Sequence, residues 1–225
     1  GGGPSPAVGK TESYDGVSFT EVNDLNTARN SLGGAGASNT SALAFGGGAP
    51  ADSDKDNETE VWNGSSWTEV NNLNTNRYAA GQGGGTSTAA IAAGGSVSGG
   101  QTADTETWNG SSWTEVNNLN TGRLSMGSAG TATAALTFGG LIVNPPVVVT
   151  AVTESWNGTS WTEVNDLNTG RGAFAIGACG TAPAALAIGG NAPNKALTEL
   201  WNGSNWSEQN DLNVGRTVAG CSGAP

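Results

Sequence analysis

The sequence has no histidine, two cysteines, and only eight lysines and arginines against 19 acidic residues. Without histidine it lacks the commonest general base and the commonest transition-metal ligand. The net charge of −11 argues against binding to nucleic acid or to an anionic membrane, because both require cationic side chains. Two cysteines are too few for a disulfide-rich scaffold. No apolar run approaches the roughly 18 residues of a membrane-spanning helix.

Glycine, in contrast, is abundant, and the chain repeats one phrase. The string TWNGSSWTEVNNLNTGR at 107–123 has four near-copies, and all five copies end in an arginine. The period between these arginines is 45 to 48 residues, and they are Arg29, Arg77, Arg123, Arg171 and Arg216. A fixed period in this range indicates stacked supersecondary units.

Each repeat unit predicts four short strands. A Gly-rich run follows the arginine, then a small-apolar run ending in Gly-Gly, a variable loop, a Thr-Glu-x-Trp segment and a second Trp segment after Asn-Gly. These runs are too short for helices and are bounded by turn residues. Asn-Gly favours a two-residue hairpin turn, whereas a four-residue turn over 63–66 would pair Trp62 directly with Trp67. Either register puts both indoles on one face of the hairpin.

The repeated tryptophan pairs predict how the units assemble. A single hairpin cannot bury two indole rings, but a neighbouring copy can cover them. Four-stranded units that bury one face against the next copy build a β-propeller. The predicted fold is therefore an all-β propeller of four-stranded blades, in preference to a β-helix or an open sandwich.

These features resemble the kelch repeat over essentially the whole chain. The resemblance rests on an arginine before the innermost strand, on the Gly-Gly doublets, and on the aromatic pairs. The doublets are Gly46-Gly47, Gly94-Gly95, Gly139-Gly140 and Gly189-Gly190, and the pairs are Tyr14/Phe19, Trp62/Trp67, Trp108/Trp113, Trp156/Trp161 and Trp201/Trp206. Two features depart from the kelch pattern: the aromatics are closer together, and the first is mostly Trp rather than Tyr. The phrases TAALTFGG and WNGTSWTEVNDLNT also resemble repeats in predicted virion structural proteins of marine tailed phages.

The number of repeats predicts five kelch-like blades in a single propeller over 1–225. The repeats run approximately over 11–58, 59–104, 105–152, 153–197 and 198–225, and the last is completed by 1–10. Only four complete second strands occur, so the termini would close the ring with one strand short. The alternative is that the chain is a segment of a longer repeat array.

The repeat residues are interpreted as structural. We expect the tryptophans to lie between blades and each arginine to bind backbone carbonyls or the repeated glutamate, because five equal sites do not resemble one asymmetric active site. Fivefold ligand binding is the alternative. The Asn-Asn/Asp-Leu-Asn-Thr phrase indicates turn chemistry or a ring of polar groups around the channel mouth. Cys179 and Cys221 are interpreted as buried free thiols, with a disulfide between them as the alternative.

Two loops after Gly-Gly doublets stand out. Asp52, Asp54 and Asp56 alternate in one loop and form a weak calcium candidate. Because position six is Asn57 and position twelve is not Glu, a solvated acidic loop is favoured. The other loop is apolar and is the candidate for partner contact, through Leu141, Ile142, Val143, Val147, Val148 and Val149. Alternatively, it covers the channel mouth or adds a strand.

The sequence contains no nucleophile–base pair and no phosphate loop, which argues against an enzyme and against a cofactor other than calcium. We expect a non-enzymatic structural and interaction module whose variable loops share one face and contact protein neighbours or a surface glycan. The phage resemblance implies a virion or extracellular location, as a tail fibre, decoration or adhesin domain. The alternative is a lectin-like, carbohydrate-binding propeller that uses tryptophan faces and asparagine amides.

Overall fold

The structure is a computed structural model that describes residues 8–48, 55–78, 81–172, 177–190 and 196–215. Within these ranges the chain forms strands and turns and no helix. Accordingly, the described part of the chain has no helix that is long and apolar enough to cross a membrane.

Most strands belong to four antiparallel, four-stranded sheets, each of which is one blade. The chain first forms a separate hairpin of β1 (Thr11–Tyr14) and β2 (Phe19–Val22). Blade 1 then contains β3 (Gly33–Ser38), β4 (Ser41–Gly48), β5 (Lys55–Trp62) and β6 (Trp67–Val70). Within this and every other blade, consecutive strands are hydrogen-bonded neighbours, from the inner strand to the outer one.

The other blades repeat this order. Blade 2 contains β7 (Gly81–Thr86) and β8 (Ala89–Ala93) as its inner strands. A short hairpin of β9 (Ser96–Val97) and β10 (Gly100–Gln101) follows, and then the outer strands β11 (Thr105–Trp108) and β12 (Trp113–Val116). Blade 3 contains β13 (Gly127–Thr131) and β14 (Ala134–Phe138), then a short hairpin of β15 (Leu141–Ile142) and β16 (Val148–Val149), then β17 (Thr153–Trp156) and β18 (Trp161–Val164). Blade 4 contains β19 (Gly177–Thr181), β20 (Ala184–Ile188), β21 (Thr198–Trp201) and β22 (Trp206–Glu208).

The blades pack side by side through their inner strands, because β3 contacts β7, β7 contacts β13 and β13 contacts β19. The fold is therefore an all-β propeller with four four-stranded blades, and the prediction of five is wrong for the described structure. Only four second-strand motifs occur in the sequence to complete the five copies. Among the described residues, the first sequence copy forms a two-stranded hairpin, β1–β2, rather than part of a four-stranded sheet. The terminal segments expected to supply its remaining strands, Arg216–Pro225 and Gly1–Gly3, lie outside the described residues.

The Asn-Gly turns have four residues rather than two. Trp62 pairs directly with Trp67, and the corresponding tryptophans of the other blades pair in the same register. The Asn63 side-chain oxygen accepts hydrogen bonds from the backbone N–H groups of Ser65 and Ser66, both at 2.9 Å. This Asx turn stabilises a longer loop than the bare Asn-Gly pair predicts. Both indoles still lie on one face, with ring centroids 5.4 Å apart.

The hydrophobic core lies between blades. Each blade has a front face, defined here by the large apolar side chains of its second strand, and a back face, defined by its small residues and its tryptophan pair. Between blades 1 and 2, Leu43 and Phe45 on the front of β4 pack against the back of blade 2, which presents Ala90, Trp108 and Trp113. Equivalent clusters join blades 2 and 3 and blades 3 and 4. Every blade therefore depends on a neighbour to bury its apolar side chains.

The tryptophans lie between blades, as expected. Seven of the eight are at most 6% exposed, and they are Trp62, Trp108, Trp113, Trp156, Trp161, Trp201 and Trp206. Trp67 is only partly buried. Its neighbour is the hairpin β1–β2, and no described strand beside that hairpin covers the indole as β4 covers Trp113.

Candidate interaction surface

A buried ion pair recurs in every blade. Arg123 is fully buried and donates to Glu154 at 2.8 Å, to the Gly139 carbonyl at 2.8 Å and to the Val152 carbonyl at 2.7 Å. Its Nε also donates to the Thr121 carbonyl at 3.3 Å. Equivalent pairs are Arg29–Glu60, Arg77–Glu106 and Arg171–Glu199. The described arginines thus bind both backbone carbonyls and a repeated glutamate, as expected; Arg216 lies outside the described residues.

The glutamate of each pair is also held by an asparagine. The side chain and the backbone N–H of Asn120 both donate to Oε2 of Glu154, at 2.8 and 2.7 Å. The equivalent residues are Asn26, Asn74 and Asn168. We name each set of asparagine, arginine and glutamate a junction. Sequence reasoning assigned these asparagines to turns or to the channel mouth and missed this role, although their constant three-residue distance from the arginine was a signal.

The neighbouring polar side chains are also engaged within the scaffold. Asn71 donates to the Ser111 carbonyl in the hairpin turn of the next blade at 2.8 Å. Asn72 accepts from the backbone N–H of Thr59 at 3.0 Å. Burial lowers the pKa of Arg123, and the charge of Glu154 and its hydrogen bond oppose this shift. Asn71 and Asn72 therefore stabilise the blades through these intramolecular hydrogen bonds.

The tryptophans are likewise unsuited to binding a ligand in this arrangement. The Trp113 indole N–H donates to the Thr59 hydroxyl of the preceding blade at 2.9 Å, and only 5% of Trp113 is exposed. A shallow groove does lie beside β6, but its lining of Glu69, Val70, Asn71 and the turn residues Gly110 and Ser111 contains no tryptophan. An aromatic platform for sugars between blades therefore has no support from these side chains.

The exposed variable loops remain as the candidate surface. The loops after the doublets bridge to the chain segment that enters the inner strand of the same blade: Tyr78 pairs with Ser96, and Leu124 pairs with Leu141. The Val143 N–H also donates to the side-chain oxygen of Gln101 at 3.2 Å. The short hairpins 96–101 and 141–149 therefore lie next to each other on one face of the propeller.

The apolar hairpin, defined as residues 141–149, is held by hydrogen bonds at its base and is exposed along its second half. The Leu141 N–H donates to the Leu124 carbonyl at 2.8 Å, and the Thr150 N–H donates to the Gly140 carbonyl at 3.1 Å. Leu141, Ile142 and Val143 are partly buried, whereas Val147, Val148 and Val149 are 61%, 46% and 41% exposed. Of the candidate residues, those at 141–143 thus pack against the propeller, whereas those at 147–149 are exposed to solvent.

Two other candidate sites lie partly outside the described residues. Asp52 and Asp54 lie outside the described residues, and Asp56 forms part of β5, where its carbonyl accepts from the Arg77 N–H at 3.2 Å. Among the described residues, no three acidic, histidine or cysteine side chains are grouped to hold a metal. Calcium binding stays a prediction.

Cys179 is disulfide-bonded, so the interpretation of this residue as a free thiol is wrong; Cys221 lies outside the described residues.

The fold and the junctions define the class of this protein as a β-propeller of repeated four-stranded blades. A scan against protein-family models finds no match, and a search of curated proteins finds no matching sequence. The kelch and phage resemblances therefore remain predictions from the sequence.

Proposed function

We propose that this chain is a non-enzymatic interaction module whose rigid propeller displays loops to a protein partner. The observation that carries the proposal is the apolar hairpin: three consecutive exposed valines, Val147 to Val149, lie in and beside its second strand, and backbone hydrogen bonds hold its base. Exposed apolar side chains grouped on a rigid support are typical of protein contact sites.

The proposed partner contact is apolar rather than electrostatic. Each valine that is buried on binding makes the binding free energy more favourable by roughly 25 cal/mol per Å² of buried apolar surface. The tip also carries Pro145 and Pro146, which restrict the backbone and lower the entropy lost on docking.

The proposed setting is a virion, in which the propeller serves as a fibre, decoration or adhesin domain. This setting is supported by the repeated phrases in the sequence, which resemble those of predicted phage structural proteins. Carbohydrate binding is not proposed, because seven of the eight tryptophans are at most 6% exposed and cannot present their rings to a sugar.

The proposal predicts that replacing residues 142–148 with a short Gly-Ser turn leaves the fold intact and weakens assembly. Sizing chromatography, and incorporation into the parent particle where that particle is known, would measure the loss. The matched control replaces residues 97–100, which are not apolar apart from Val97, with four Gly and Ser residues. It should leave assembly unchanged.

A milder variant separates hydrophobic contact from loop shape. Val147→Ser with Val148→Ser preserves the length of the loop and both prolines, and should weaken assembly in the same direction. Unchanged assembly in both variants, together with an unchanged thermal transition, would show that the apolar hairpin is not the contact surface.

A further inference from the structure

The apolar hairpin is a small sheet of its own, and its two strands each have an outer edge. β15 and β16 pair antiparallel, with Leu141 opposite Val149. One position further, the Thr150 N–H donates to the Gly140 carbonyl at 3.1 Å. Hydrogen-bonded and non-hydrogen-bonded pairs alternate in an antiparallel ladder, so Leu141 and Val149 exchange no hydrogen bonds with each other. The backbone N–H and C=O groups of both residues therefore point outward, away from the partner strand.

The outer edge of β15 is closed by other parts of the chain. The Leu141 N–H donates to the Leu124 carbonyl at 2.8 Å, and the Leu124 N–H donates to the Leu141 carbonyl at 3.1 Å. The next outward N–H group, that of Val143, donates to the side-chain oxygen of Gln101 at 3.2 Å. This edge has no free position for a further strand.

The outer edge of β16 is open. Val149 is its outward-pointing residue, and by the same alternation Val147 also points outward. No hydrogen bond joins the backbone of either residue to another residue in the described part of the chain. Both are exposed, Val147 at 61% and Val149 at 41%. Unpaired N–H and C=O groups along a β-branched, apolar strand are a template for pairing with another strand.

The surroundings of this edge carry no charge. Residues 124–153 and 95–103, which include both short hairpins, contain no Asp, Glu, Lys or Arg, although the net charge of the chain is −11. Two copies of the chain repel each other over most of their surface because they have the same charge. That repulsion is weakest where the uncharged hairpins face each other.

The open edge is complementary to itself. When two copies are related by a twofold axis that passes between their Val148 residues, Val147 of each copy lies opposite Val149 of the other. Every outward N–H group then meets an outward carbonyl, as an isologous contact requires. Because the edge of β15 is already closed, such pairing ends at two copies and does not continue into a fibre.

We propose that two copies of this chain pair antiparallel through the open edges of their β16 strands, about a twofold axis beside Val148. The pairing joins two two-stranded hairpins into one four-stranded sheet, which is more stable than either hairpin alone. This inference rests on the proposed function, since it names the partner of the apolar hairpin. The contact is small, so the dimer should form reversibly and depend on concentration.

Sedimentation velocity of the full-length chain over a series of concentrations tests the pairing. Val149→Pro removes the outward N–H group, which the hairpin itself does not use, and an open edge tolerates proline. The dissociation constant of the dimer should rise by about tenfold or more, because the hydrogen bond is lost on both sides of the axis. Val149→Ile is the matched control: it keeps the N–H group and the branched apolar side chain, and should leave the dimer unchanged. The thermal transition of both variants should match that of the wild type.

Cross-linking tests the position of the axis. In the proposed register the two Val148 residues form a non-hydrogen-bonded pair, whose Cα separation suits a disulfide. Val148→Cys should therefore give a covalent dimer with oxidised glutathione, which is reduced to two thiols for each disulfide formed. Val147→Cys is the control, because residue 147 lies opposite residue 149 of the other copy, and it should cross-link much more slowly. Peptide mapping locates the new disulfide.

The outcomes separate this inference from the proposed function. A chain that is monomeric at every concentration, a dimer that survives Val149→Pro unchanged, or equal cross-linking at positions 147 and 148 would each overturn the twofold pairing. If the chain is monomeric but replacement of residues 142–148 still weakens incorporation into the parent particle, the proposed function stands and the edge accepts a strand of another protein. If that replacement changes neither sizing nor incorporation, both proposals fail.

Discussion

At the scale of single residues, the repeat places charged and aromatic groups where they would be costly without partners. Arg123 engages a carboxylate and three backbone carbonyls while fully buried. Removing one member of such a pair leaves an uncompensated buried charge, which costs more than the pair contributes. The same logic applies to the indole N–H groups, each of which needs an acceptor inside the core. The first tryptophan of a pair, such as Trp108, donates to a backbone carbonyl of its own blade. The second, such as Trp113, donates to a threonine hydroxyl of the preceding blade and so joins one repeat to the next.

The tryptophan positions predict a graded loss of stability. Trp113→Ala should lower the free energy of unfolding by about 3–5 kcal/mol, because it empties a fully packed cluster. Trp67→Ala should cost less, since that indole is only partly buried beside the hairpin β1–β2. Urea denaturation followed by circular dichroism measures both values.

Trp113→Phe separates the packing of the ring from its hydrogen bond. It keeps an aromatic ring in the cluster and removes the donor to the Thr59 hydroxyl. Its free energy of unfolding should therefore lie between that of the wild type and that of Trp113→Ala. An equal loss in Trp67→Ala and Trp113→Ala would contradict the asymmetry described between the two positions.

At the scale of elements, the Gly-Gly doublets connect the strands to the junctions. Gly46 has φ of +61° and Gly47 has φ of +111°, both in the left-handed region. The Gly46 carbonyl accepts from Arg29 at 3.0 Å, and the Gly47 N–H donates to the carbonyl of Arg77 at 3.0 Å. In blade 1 the doublet therefore forms a bulge within β4, where the pairing with β5 shifts register, and it ties two repeats together. The loop that follows is free to vary.

Gly46→Ala should be destabilising for two reasons. A Cβ there would lie 2.6 Å from the Arg77 carbonyl oxygen, and the left-handed backbone disfavours any side chain. Gly16→Ala is the matched control, because Gly16 has φ of +100° but nothing within 4 Å of an added Cβ. Thermal denaturation should show a clearly larger fall in Tm for Gly46→Ala; equal falls would mean that backbone strain alone sets the cost.

At the scale of the whole molecule, stability is shared between neighbours. The described hydrophobic clusters each combine the front of one blade with the back of the next. In such an arrangement, the free energy that stabilises a repeat comes mainly from its interfaces with neighbouring repeats. The two ends of the series are then the weakest places, and Trp67, Tyr14, Leu186 and Ile188 show this through their incomplete burial.

An isolated blade should consequently fail to fold. A peptide covering residues 79–126, which includes all of blade 2, would expose Trp108 and Trp113 because Leu43 and Phe45 of blade 1 are absent. We expect its tryptophan fluorescence and circular dichroism to match those of a denatured chain. A cooperative thermal transition in this peptide would refute the dependence on neighbouring blades.

The four-stranded blades, the position of the tryptophans between them and the partners of the arginines were all predictable from the sequence. Each follows from a pattern that repeats at a constant spacing, so one local interpretation applies to every copy. The number of blades was not predictable in the same way. Five repeat arginines occur, but in the described part of the chain the hairpin β1–β2 pairs with no second strand. The number of arginines therefore overestimates the number of four-stranded sheets.

The sequence by itself determined the period, the strands and the equivalence of the repeats, because these depend on local propensity and on the alternation of large and small side chains. Only the tertiary structure decided which groups meet across copies. The four-residue turn, the asparagine that binds each repeated glutamate, and the contact between hairpins 96–101 and 141–149 depend on which elements become neighbours in space. Incomplete burial at the ends of the series has the same origin, since a face is covered only where another blade exists to cover it.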